Sequence, residues 1–196
     1  INEASIQAPV YILKTFFSNA VTGLYTFPQK ILYQPSKFIS QAVADVFFNK
    51  ASKMNSRNRS LGELTFSTYK TLLILGVVPY LVIILWGPEL FSFIFGSGWE
   101  ESGRIASILS PWMLLVFIGS PISGIFLVDK RLRLSFILNI SLLMLRIGAL
   151  LTGAIIFKDV KITIILFSAV SSAYWIATIL YSLHFAGVRI IRALKI

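Results

Sequence analysis

Cysteine is absent, histidine occurs once, and acidic residues number only 8 against 18 lysines and arginines. Without thiols there is no disulfide framework and no thiolate metal site. The lone His184 has no second imidazole with which to share a metal, so no metal site is expected. No HExxH pair and no phosphate-cradling glycine loop occurs, and no acidic pair has the surroundings of a glycosyltransferase site. Catalysis has no side-chain chemistry on which to rest, so the chain is expected to be no enzyme and to need no cofactor. Charge of either sign is scarce too, at 13% of residues, whereas 56% are hydrophobic and the mean hydropathy is +0.80. A soluble domain of 196 residues has too few polar side chains to cover that much apolar surface.

What is present is a succession of apolar runs near the length that spans the ~30 Å hydrocarbon core of a bilayer. They predict an all-α integral membrane protein with six spans, at about 4–17, 24–48, 66–95, 105–128, 134–157 and 162–188. The first two give weak hydropathy signals, because the first is short and together they carry Lys14, Lys30, Lys37 and Asp45. SNAVTG (18–23) breaks the chain between them, NKASKMNSRNRSLGE (49–63) reads as a hydrophilic loop, and GSGWEESGR (96–104) as a turn leading into a surface helix anchored by Trp99. The opening Ile1-Asn2-Glu3 lacks the basic flank, short apolar core and cleavage site of a signal peptide, and the chain reads as a piece of a longer protein.

Lysine and arginine are distributed unevenly among the connections. Lys50, Lys53, Arg57, Arg59, Lys70, Lys130, Arg131, Arg133, Arg189, Arg192 and Lys195 fall on one side, against Arg104, Lys158 and Lys161 on the other. Alternation across six spans then puts both ends of the segment in the cytoplasm. The net charge of +10 is therefore a topology signal, and no nucleic-acid partner is expected, since the cations are split among short loops.

Four cations fall inside the spans: Lys14, Lys30, Lys37 and Arg146. Arg146 lies in LLMLRIGAL (142–150), about fourteen residues or roughly 21 Å from the cytoplasmic end of the fifth span near Leu132. A charge at that depth costs at least ~2.5–3.5 kcal/mol by insertion scales, so it should face a bundle interior or a water-filled cavity. Two roles remain open: a structural arginine bound to carbonyls or a carboxylate, or an anion ligand whose guanidinium fork suits phosphate oxygens. Lys14 and Lys30 could equally snorkel to headgroups. Gln34, Gln41, Lys37 and Asp45 share a face by helical spacing, as on a cavity-lining helix. Asp45 suits either a local salt bridge or coupling to a proton or ion. Prolines at 9, 28, 35, 79, 111 and 121 lie within or at the mouths of spans. A moving transporter can use such kinks better than a rigid anchor can. The small-residue spacing at Gly119, Ser123 and Gly124 suits close helix packing.

GLYTFPQKILYQPSKFISQAVADVFFNKASK (23–53), GPELFSFIFGSGWEESGRIASILSPWMLLVFIGSPISGIFLV (87–128) and LLMLRIGAL (142–150) together resemble the bacterial polysaccharide and O-antigen flippases. These belong to the multidrug/oligosaccharidyl-lipid/polysaccharide exporter superfamily. Lys30 stands where that family often has Arg, Asn49 where Pro is common, and Asp45 at a position often polar but uncharged. The resemblance implies a MATE-like transporter of two six-helix lobes, of which 1–196 is the C-terminal one and the N-terminal lobe is its missing partner. It implies a multi-pass protein of the cytoplasmic (inner) membrane, among membrane lipids, that flips a polyprenyl-diphosphate-linked oligosaccharide by alternating access. Arg146, Lys30, Lys37 and Lys14, with Gln34 and Gln41, would then line a cavity for the anionic diphosphate or sugars. A cation-coupled multidrug exporter of the same architecture is the alternative, with an acidic cavity as its mark, and a non-transporting scaffold for glycan assembly is a third.

Overall fold

The computed structural model describes the backbone of residues 2–56, 60–128 and 132–188, and the side chains of 5–56, 60–126 and 136–188. Its helices are α1 (Asn2–Phe16), α2 (Asn19–Asn55), α3 (Gly62–Phe95), α4 (Glu100–Ile122), α5 (Ile125–Val128), α6 (Leu132–Leu151) and α7 (Val160–Phe185). A 3-10 turn at Ser97–Trp99 leads into α4, and a π-helical turn at Thr152–Phe157 ends α6. No strand occurs among the described residues, so the fold is all-α.

Hydropathy located the helices but not their ends. Ser18 sits in extended backbone and its hydroxyl accepts from Val21 N, so α2 starts inside the polar SNAVTG stretch. The same helix runs on through the hydrophilic 49–55 segment. At 37 residues α2 is about 55 Å long, well beyond a bilayer core, while the 15 residues of α1 reach only about 22 Å. Four stretches among the described residues are long and apolar enough to cross a membrane: Gly62–Phe95, Ser97–Ile122, Phe136–Phe157 and Val160–Phe185.

The central helix is α4, packed along α2, α3 and α7; α6 lies beyond α7, and α1 bridges α6 and α2. The buried positions of α3, Leu72, Gly76, Tyr80, Gly87 and Phe91, recur at helical spacing and form one narrow stripe. Its other faces, including Ile74, Val78, Leu81 and Leu85, are exposed and apolar, as lipid requires. Contact with α4 is backbone-close. A Cβ on Gly103 would lie 2.7 Å from Pro88 Cα and nearer still to the Gly87 carbonyl oxygen. At the other end of α4, Gly119 makes room for the Trp175 ring of α7, whose Cε3 would be 2.7 Å from an added Cβ.

All seven prolines lie inside helices, and beside three of them a serine of a neighbouring helix takes up a backbone acceptor. Pro28 cannot donate to the carbonyl four residues back, and that oxygen, of Leu24, accepts from Ser102 Oγ of α4 at 3.1 Å. Where Trp86 leaves helical geometry before Gly87-Pro88, the Ile83 carbonyl accepts from Ser107 Oγ at 2.8 Å. Ser168 of α7 donates to the Ile108 carbonyl at 2.7 Å. These bonds tie the proline-bearing segments of α2, α3 and α4 into the bundle, and the kink of α3 at Trp86 is held by a tertiary contact.

Candidate functional site

On α2 the side chains of Lys30, Gln34, Lys37, Gln41 and Asp45 are all exposed, in steps of three or four residues. They form one polar stripe about 22 Å long. Exposed Phe38, Ile39 and Val46 flank it, so this face is neither wholly apolar like the lipid-facing side of α3 nor wholly polar. Gln41 Nε2 donates to Asp45 Oδ1 at 3.0 Å, and the Lys37 ammonium stands 5.6 Å from the Tyr33 ring centroid. Among the described residues Asp45 has no ion-pair partner.

Beside the lower part of this stripe two adjoining pockets share Gln41 and Ser120. The larger, about 380 Å³, runs from Asp45 and Phe48 of α2 past the end of α4 to Asn139 of α6 and to Tyr174, Trp175 and Thr178 of α7. The smaller, about 130 Å³, is enclosed by Tyr33, Ser36, Lys37 and Ser40 of α2 and by Tyr80 of α3. Ser36 Oγ and Tyr80 Oη are hydrogen-bonded at 2.7 Å, which holds α2 against α3 at its floor. Together they make a groove rich in hydroxyls and amides, walled by aromatic rings, with one lysine and one carboxylate.

Arg146 lies behind this groove rather than in it. Its side chain is 1% exposed. Nε donates to Ser171 Oγ at 2.8 Å and Nη1 to Ser5 Oγ at 2.7 Å, so the guanidinium links α6 to α7 and α1. The Trp112 and Phe167 rings lie 5.1 and 5.2 Å from Cζ, within cation–π range. Among the described residues no carboxylate pairs with it. Tyr33 and Tyr174, which line the smaller and larger pockets, are within electrostatic reach of it. Among the described residues, then, a buried cation without a carboxylate partner lies behind a polar groove.

Of the residues singled out in the sequence, the structure brings Lys37, Gln41 and Asp45 together in the groove. Lys30 and Gln34 continue the same stripe beyond it, and Lys14 is exposed on α1, apart from both pockets. The aromatic wall was missed: Tyr174 and Trp175 stand in SSAYW (171–175), where a run of small hydroxyl residues followed by two large amphipathic rings was the available signal. Of the cations that set the charge asymmetry, Arg57, Arg59, Lys130, Arg131, Arg189, Arg192 and Lys195 lie outside the described residues, as does the side chain of Arg133. Lys50, Lys53 and Lys70 sit at the end of the bundle where α2 stops and α3 starts. Arg104, Lys158 and Lys161 cluster at the opposite end around one pocket. His184 is exposed near the end of α7, and no group of metal-ligating side chains occurs among the described residues.

Long apolar helices around a serine-laced core, with a polar groove on one flank, define a multi-pass α-helical membrane protein. A family model described as polysaccharide biosynthesis protein matches residues 2–104, just over half of the sequence, and the chain belongs to that family. The match contains the polar stripe of α2 and stops at the first turn of α4, before Arg146. No match was found among curated proteins or among solved structures.

Proposed function

We propose that this chain is the C-terminal six-helix lobe of a transporter that flips a polyprenyl-diphosphate-linked oligosaccharide across the cytoplasmic membrane, without catalysing a reaction. Membership in the polysaccharide biosynthesis family supports a part in glycan synthesis or export. The observation that carries the finer assignment is the polar stripe of α2 beside a groove of hydroxyls, amides and aromatic rings. Lipid does not solvate such a face, whereas a sugar chain can both hydrogen-bond to it and pack on its rings.

Opposite this face an N-terminal lobe would complete the cavity, and alternating access would come from the two lobes rocking about it. Lys37 would meet the diphosphate directly, with Lys30 and Lys14 extending the positive path toward the far end. Arg146 would act from beneath: two opposite groups about 10 Å apart, at an effective dielectric of about 20 and with two charges on the diphosphate, would attract by about 3 kcal/mol. Distributed attraction of this kind allows release, which one deep trap would prevent. Asp45 is the candidate coupling carboxylate. The excess of lysine and arginine at the end holding Lys50, Lys53 and Lys70 supports a cytoplasmic position for that end.

The test uses the full-length protein in cells lacking their own copy, with surface polymer followed at matched membrane levels. Lys37→Gln and Trp175→Ala should each cut export severalfold, whereas Val78→Ala on the lipid-facing side of α3 should leave it unchanged. Normal export with both groove variants would remove the groove from the transport path. A cation-coupled multidrug exporter would instead make Asp45→Asn abolish export of a lipophilic cation and spare the polymer.

A further inference from the structure

At the end of the bundle where α2, α4 and α7 begin, two clefts lie side by side. The first, about 430 Å³, is floored by Leu24, Ile105, Ile108 and Ile164 and rimmed by charged side chains. The second, about 340 Å³, lies between Phe16 at the end of α1 and Ala154 and Ile155 of the π-helical turn. Phe17 and Lys158 belong to both and form the ridge between them. Phe16 and Ile155 are half exposed, so the second cleft opens onto the apolar flank of the bundle.

The backbone at this ridge is unusual twice over. Six residues of π-helix, Thr152–Phe157, widen the end of α6, and Lys158 follows in the left-handed region at φ 52°, ψ 32°. It is the one non-glycine residue with positive φ among those described. Both features are uncommon and tend to mark functional positions. Their result is a lysine side chain standing between two apolar clefts.

Charge at the rim is mostly accounted for. Arg104 is bridged by Glu100 at 2.7 Å and Glu101 at 3.6 Å, and Asp159 Oδ1 accepts from Ile162 N at 2.7 Å as the cap of α7. Lys158 and Lys161 have no ion pair or hydrogen bond among the described residues. Two ammonium groups therefore stand at the first cleft, and one of them, that of Lys158, borders the second as well.

We propose that these clefts bind one anionic phospholipid, its phosphate against Lys158 and Lys161 and one acyl chain in each cleft. The occupant follows from the geometry. Two separate clefts flanking one cationic ridge match two tails diverging from one phosphate, and a single-chain polyprenyl lipid would fill only one. A zwitterionic headgroup would carry its own ammonium to the same two lysines and gain far less. Whether the protein exports glycans has no bearing on this site, because any bilayer with anionic lipid supplies the ligand.

The full-length protein, purified in detergent and examined by native mass spectrometry against titrated lipids, tests the assignment. One phosphatidylglycerol should be retained in preference to phosphatidylcholine of the same chains. With about fivefold from each lysine, the preference should exceed tenfold. Lys158→Gln combined with Lys161→Gln should bring it near unity without changing the thermal stability of lipid-free protein, since both side chains are exposed. Lysophosphatidylglycerol, with one tail, should bind severalfold more weakly than the two-tailed lipid. Equal retention of the two phospholipids, or an undiminished preference in the double variant, overturns the proposal. So does one-for-one displacement of phosphatidylglycerol by an equimolar polyprenyl phosphate, which would give the clefts to a single-chain lipid.

Discussion

Replacing Arg146 by methionine separates what this side chain does for the fold from what it does for the groove. Its two bonds to Ser5 and Ser171 are charge-assisted and contribute about 1.5–3 kcal/mol each. The faces of Trp112 and Phe167 add about 1–2 kcal/mol more. Against these stands the desolvation of a guanidinium that is 1% exposed, which costs several kcal/mol. The two sides nearly cancel. Methionine fills similar length and carries no charge, so Arg146→Met should change the unfolding free energy by only about 1 kcal/mol in either direction. Arg146→Ala leaves a cavity between α1, α6 and α7 and should cost about 3–5 kcal/mol. Arg146→Lys keeps the charge, but one ammonium replaces a fork that spans two hydroxyls, and it should cost about 1–3 kcal/mol. Stability should therefore rank Met near the native protein, then Lys, then Ala, measured by equilibrium unfolding in mixed micelles. Export should rank differently. In the proposed transporter, loss of the charge would remove about 3 kcal/mol of attraction for a diphosphate, on the order of a hundredfold in occupancy at low substrate. Lysine should thus retain more transport than the more stable methionine variant. Full export by Arg146→Met at matched membrane levels would refute the electrostatic role, and a methionine variant as unstable as alanine would refute the estimate of cancellation.

Three other outcomes are expected. Gly103→Ala should destabilise the bundle by about 2–3 kcal/mol in the same unfolding assay, because its Cβ meets the backbone of Gly87 and Pro88, which cannot turn aside; Gly148→Ala, with nothing within 4 Å, should be neutral or stabilising. Tyr80→Phe should lose about 1 kcal/mol through the broken bond to Ser36, and in a double-mutant cycle Ser36→Ala should add little to it. Because the chain has no cysteine, single cysteines report solvent directly: Gln41→Cys should react with a membrane-impermeant maleimide in inside-out vesicles, and Val78→Cys, on the apolar face of α3, should not.

Much of the architecture is legible in hydropathy because lipid imposes a severe rule on any helix it touches. The apolar faces of α3 and α6 could hardly belong to anything else, and the all-helical class follows from them. Helix ends are less legible, since a helix stops where its caps are. Ser18 starts α2 within a polar stretch, and the helix then runs seven residues past the apolar segment expected to end at Phe48. The stripe from Lys30 to Asp45 could be read from spacing alone, because one helix creates it. The enclosure of Arg146 could not, because Ser5 and Ser171 are brought to it by α1 and α7 from distant points of the chain. The same holds for the aromatic wall of the groove and for the serines that answer the prolines at Leu24 and Ile83. The π-helical turn before Lys158 has no composition signal, as TGAIIF would also suit an ordinary α-helix.

The most direct test of export as the activity is the fate of the lipid-linked oligosaccharide when the full-length protein is depleted. Loss of surface polymer with build-up of complete, lipid-linked precursor on the cytoplasmic leaflet is the outcome predicted for a flippase. Loss of polymer with no precursor made at all would contradict it and place the protein in glycan assembly.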